Sequence, residues 1–78
     1  GLARLIGRTR TLVLLELATP ATTTQLVTLL GLSLGTVGGH IAALREAGLV
    51  TGSHTGRGVL YHRTALGDSL VAPSGLRP

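Results

Sequence analysis

Residues 22–50 are TTTQLVTLLGLSLGTVGGHIAALREAGLV, a run in which caps, glycines and apolar residues recur at helical spacing. Thr22 is placed to cap a helix, and Gln25 follows at the spacing of a capping box. Leu26, Leu29 and Leu30 then fall on one helical face. Gly31 suits the left-handed residue that closes a helix, and Leu32 suits the apolar contact just beyond it. Ser33 is a strong cap for a second helix. In that helix Val37, Ile41 and Leu44 recur at helical spacing and share a buried face. Gly48 and Leu49 repeat the closing device. Two short helices joined by one glycine-containing turn form the helix-turn-helix pattern, whose second helix can enter a DNA major groove.

Working outward toward the N-terminus, residues 2–18 predict one continuous first helix. Leu2, Leu5, Ile6, Leu12, Val13 and Leu17 make a broad apolar stripe, which Leu14 and Leu15 widen beyond a single face. Arg4, Arg8, Arg10 and Glu16 mark its wetter side. Thr19-Pro20 ends it, because proline lacks an N–H and disfavours a helical residue before it. Ala21 to Thr24 are expected to run extended into the second helix, which reaches about Leu30. The third helix spans Leu34 to about Ala47.

Working outward toward the C-terminus, the period changes after Gly48. Residues 49–53 and 59–63 suit strands, and His54-Thr55-Gly56-Arg57-Gly58 suits the loop between them. A hairpin directly after a helix-turn-helix is a wing. Thr64 caps a last helix, with Asp68 in its first turn and Leu66, Leu70 and Val71 as its apolar residues. Pro73 is expected to stop it, and the tail SGLRP to fray. The expected class is mainly α with a small β-hairpin, a winged helix-turn-helix, as one domain over residues 1–78 that is either whole or a fragment of a longer regulator.

Composition narrows the partner. Seven arginines face three acids and there is no lysine, so a net charge of +4 on 78 residues points to a polyanion. With no cysteine there is no disulfide, thiolate ligand or thiol nucleophile, which fits a reducing cytoplasm. No apolar run approaches the roughly 18 residues of a membrane span. Yet 44% of residues are hydrophobic and mean hydropathy is +0.47, with one tyrosine as the sole aromatic. A domain this small cannot hide so much aliphatic surface. The excess is expected to meet a second copy through the first and last helices, or a missing domain.

With these residues in view, the chain resembles bacterial winged-helix regulators of the ArsR family. The resemblance rests on LGLSLGTVGGHIAALREAGLV, with Ser33, the pair Thr36-Val37, His40, and the ending from Leu44 to Val50. Gly56-Arg57-Gly58 followed by Tyr61 is similar to the family wing. It extends over about residues 5–72 and implies binding of double-stranded DNA. There are two departures. Gly38 and Gly39 stand where the family often carries polar or basic side chains, and the cysteines of its metal-sensing members are absent, so no metal or other cofactor is expected.

The DNA-facing candidates lie opposite Val37, Ile41 and Leu44, namely Ser33, Gly35, Thr36, Gly39, His40 and, at the margin, Ala43. Thr36 can bond a phosphate or base and touch a thymine methyl. His40 can donate to a phosphate. In the wing, Arg57 on its glycine loop can reach phosphates or a narrow minor groove, with His54 and Thr55 as weaker contacts. Gly35, Gly38 and Gly39 each cost about 1 kcal/mol relative to alanine. They read either as room for close approach to DNA or as a weakly specified helix held by packing. Arg45 and Arg63 read as structural or surface charges. A zinc site between His54 and His62 lacks local ligands to complete it. Glu16, Glu46 and Asp68 are dispersed, and Ser33 and Ser69 read as a cap and a helix residue, so an enzyme is a distant third reading. The leading reading is a DNA-binding transcriptional regulator in the cytoplasm. The alternative is a winged helix that serves only as a protein-interaction module.

Overall fold

The computed structural model describes residues 1–56 and 58–72. Arg57, the expected stop at Pro73 and the expected fraying of the tail lie outside the described residues. The order is α1 (Leu2–Ile6), α2 (Arg8–Glu16), α3 (Thr23–Leu30), α4 (Leu34–Glu46), β1 (Val50–Thr55), β2 (Gly58–Arg63) and α5 (Ala65–Val71).

The capping chemistry of the central stretch forms as expected. The Thr22 hydroxyl accepts from the Gln25 N–H at 3.1 Å, and Gln25 Oε1 accepts from the Thr22 N–H at 2.8 Å. Each bond satisfies a backbone donor that helix geometry leaves without a partner. Gly31 closes α3 in the left-handed conformation at φ 66°. The chain turns by 117° between α3 and α4, within the range of a helix-turn-helix. No single helix among the described residues is long and apolar enough to cross a membrane.

The single first helix expected over residues 2–18 is two helices. Gly7 stands at φ 93°, ψ 154°, an extended left-handed conformation that glycine alone adopts cheaply, and it breaks the helical backbone. The two pieces stay stitched, since Gly7 N–H donates to the Ala3 carbonyl and Thr11 N–H to the Gly7 carbonyl.

One core serves all elements. Val13, Leu14 and Leu17 from α2 and its end, Ala21, Leu26 from α3, Val37, Ile41 and Leu44 from α4, and Leu49 and Val50 leading into β1 are buried together. Two expectations of facing are corrected. Leu29 is exposed, because Val27 and Leu30 pack beside Leu26 and rotate the inner face of α3 away from it. Leu14 belongs to the core, whereas Leu5 and Leu12 point outward, since α2 buries the edge through Val13, Leu14 and Leu17.

The strands pair antiparallel from Val50↔Arg63 to Thr55↔Gly58. His54 and Thr55, expected in the loop, are instead the last residues of β1, and only residues 56 and 57 connect the strands. The antiparallel ladder continues through His54, opposite Val59, and Thr55, opposite Gly58. The extended run expected over residues 21–24 shrinks to one bridge. Ala21 N–H donates to the Tyr61 carbonyl at 3.0 Å and Tyr61 N–H to the Ala21 carbonyl at 2.8 Å. The next residue, Thr22, is already the cap of α3, so there is no room for more strand.

The last helix is clamped to the end of α4. The Thr64 hydroxyl accepts from the Gly67 N–H at 3.1 Å and donates to the Gly48 carbonyl at 2.6 Å. Gly67 lies so close to the Leu49 carbonyl that a Cβ there would collide with it. Arg63 Nη1 donates to the Leu14 carbonyl at 3.4 Å, and its Nε lies 3.0 Å from Asp68 Oδ1 as an ion pair without a well-aligned hydrogen bond. Arg63 is thus a structural charge that ties β2 to α2 and α5. Arg45 lies over the Tyr61 ring at 5.8 Å, a cation–π contact between α4 and the wing.

Candidate nucleic-acid interface

The edge of α4 opposite its buried face is built from very little. Val37, Ile41 and Leu44 point into the core, and the helical period puts Gly35, Gly39 and Ala42 on the far side. All three are exposed. Leu34, at the first helical position, is also exposed. Glu46 is the one long side chain along this outer line, and it stands at the C-terminal end. An anionic partner therefore meets α4 most favourably through its N-terminal half, where the macrodipole is positive and no acid stands.

Ser33 and Thr36 organise that half. Ser33 Oγ accepts from the Thr36 N–H at 3.1 Å and donates to Thr36 Oγ1 at 2.8 Å. Thr36 Oγ1 acts as acceptor in this pair and keeps its own proton to give outward. Both residues are exposed.

Among the described residues nothing requires the glycines of α4 to be glycine. A Cβ added at Gly35, Gly38 or Gly39 would meet nothing within 4 Å. None of the three has a positive φ. Neither internal crowding nor backbone conformation excludes a side chain there.

His40 is not a free histidine. It is half-buried, and its Nδ1 accepts from Arg10 Nε on α2 at 3.2 Å. Nδ1 is therefore an acceptor, and Nε2 is the ring nitrogen left to donate outward. His54 and Thr55 are exposed at the far end of β1, beside the connection that holds Arg57. The Thr55 hydroxyl donates to the Gly58 carbonyl at 3.2 Å. His54 and His62 do not face each other. His54 pairs with Val59 and His62 with Thr51, and the two lie on opposite faces of the hairpin. Among the described residues no group of three or more metal-ligating side chains comes together.

Ser33, Gly35, Thr36, Gly39 and His40 thus share one helix half, while His54 and Thr55 stand on the wing. Reading by spacing overlooked Ala42, which lies closer to the centre of the outer edge than Ala43 does, and a stricter use of the helical angle finds it. It overlooked Leu34, which carries no polar signal. It also overlooked Arg10, whose link to α4 spans 30 residues of sequence and leaves no local trace.

A helix-turn-helix with its second helix outward, followed by a hairpin and a closing helix, defines the winged helix-turn-helix class. Within that class, residues 7–51 match the family model described as bacterial regulatory protein, arsR family. The matched stretch is more than half of the chain, and the chain belongs to that family. Membership brings DNA-binding transcription regulation as the general function. No curated protein and no solved structure matches the chain.

Proposed function

We propose that the chain regulates transcription by binding duplex DNA sequence-specifically, with the N-terminal half of α4 in the major groove and the wing on the backbone. The observation that carries this reading is the outward edge of α4. It is exposed and almost bare, it begins at a capped positive helix end, and its single acid is displaced to the other end. Ser33, Thr36 and His40 supply hydroxyl and imidazole donors. Gly35 and Gly39 let the helix backbone come close. His54, Thr55 and Arg57 serve as backbone contacts from the wing. With so few long side chains on α4, much of the specificity falls to DNA shape.

The apolar surface supports a second part of the proposal. Leu5, Leu12, Leu15 and Leu66 are 68%, 46%, 48% and 52% exposed, and α2 packs against α5. A two-fold pairing through the first and last helices buries this surface and presents two recognition helices to an inverted repeat.

The test is a titration of fluorescent duplexes at several salt concentrations, using a random sequence and fragments selected from genomic DNA. The expected result is affinity that falls steeply with salt on both, with selected fragments bound at least about a thousandfold more tightly. Binding to neither duplex at low salt would leave the chain a protein-interaction module.

A further inference from the structure

We infer that Arg10, on α2, is a DNA-phosphate contact held in place by the recognition helix through His40. The inference rests on the DNA-binding reading above and adds to it a residue outside both α4 and the wing.

Arg10 is exposed, and its only protein partner among the described residues is His40. The bond runs from Nε to Nδ1 at 3.2 Å. A guanidinium has five N–H donors in a planar fork, and Nε uses one of them. The two terminal amino groups remain, and this end of the fork can bind two oxygens of one phosphate. Fixing Nε fixes the plane of the group, so less freedom is lost when a phosphate arrives.

Arg10 is not there for the sake of its own helix. It stands with Arg8 in the first turn of α2, which carries no acid, and the macrodipole disfavours cations at that end. Among the described residues it makes no ion pair, whereas Arg63 is paired with Asp68 and Arg45 lies over Tyr61. Its hydrogen bond is to the half of α4 that also carries Ser33 and Thr36. The group is thus an unneutralised cation fastened beside the surface offered to the duplex. His40 in turn becomes a positioning residue, one that sets the aim of Arg10.

The experiment measures binding of the full chain to a random-sequence duplex across salt, because a phosphate contact is blind to sequence. Arg10→Ala is expected to bind roughly tenfold more weakly, with a salt slope shallower by about one unit. Its melting temperature is expected to match that of the original chain. Arg10→Lys keeps the charge but loses the fork, so the slope should return while affinity recovers only in part. His40→Ala should weaken binding, and the double variant should lose less than the sum of the two single losses. Original affinity and slope in Arg10→Ala would overturn the inference and leave the DNA-binding reading intact. Additive losses in the double variant would remove His40 from its positioning role. If the original chain fails to bind the duplex at low salt, the DNA-binding reading falls and this inference with it.

Discussion

Helices α4 and α2 bury one edge each in the same core, and their outward edges could hardly differ more. Inside, both show tightly packed aliphatic side chains, Val37, Ile41 and Leu44 on one and Val13 and Leu14 on the other. Outside, α4 is bare, with Gly35, Gly39 and Ala42, whereas α2 carries Leu12 and Leu15 half in water. The inner edges answer to this chain alone, since close packing dictates shape and volume there. Nothing among the described residues accounts for the outer edges. A helix pared of side chains suits a surface that must fit against a rigid polar duplex. A helix that keeps leucines in water suits a surface that another protein covers.

The largest effect belongs to the inner edge. Val37→Asp puts a carboxylate with no partner into the core, at a cost of several kcal/mol. The expected outcome is loss of the cooperative thermal transition followed by circular dichroism. A transition at the original temperature would mean that the inner edge does not depend on burial. The apolar outer edge is tested next. Leu12→Glu with Leu15→Glu is expected to turn a dimer into a folded monomer in sedimentation at micromolar concentration. A monomer before substitution would assign the leucines to some other covering. The smallest effect belongs to the bare edge and discriminates best. Gly39→Ala has open space around the new methyl, so it should stabilise the chain by about 1 kcal/mol. If the glycine serves close approach to DNA, the same variant binds duplex more weakly although it is more stable. Greater stability with unchanged binding would make Gly39 merely a weak helix residue.

The parts of this molecule legible in its sequence are those set by local chemistry. Thr22 with Gln25, Ser33 and Thr64 act as the caps their spacing implies, because a cap concerns residues within one turn. Val37, Ile41 and Leu44 were legible from periodicity for the same reason. Gly7 was harder, since an isolated glycine inside a helical pattern is often tolerated, and only its φ reveals the break. Leu29 was misplaced because a helix of eight residues offers several apolar faces, and tertiary packing selects among them. On the interface, Ser33, Gly35, Thr36 and Gly39 follow from the phase of α4. The tie between Arg10 and His40 does not, because it arises where two helices distant in sequence meet.

The bridge between Ala21 and Tyr61 has a consequence for the order in which the molecule is built. A two-stranded hairpin is marginally stable in water by itself. The wing gains a third strand position only where Ala21 lies against Tyr61, and that closes a long loop across the whole helix-turn-helix. Helical contacts are short in sequence and form fast, whereas this closure must wait until α3 and α4 have brought its ends together. The bridge, and the support it gives the hairpin, is therefore expected to form late, on helices already in place. By the same ordering the bridge is expected to part before the helices under mild denaturant. The amide of Tyr61, although it belongs to the wing, exchanges its hydrogen only when the Ala21 bridge parts.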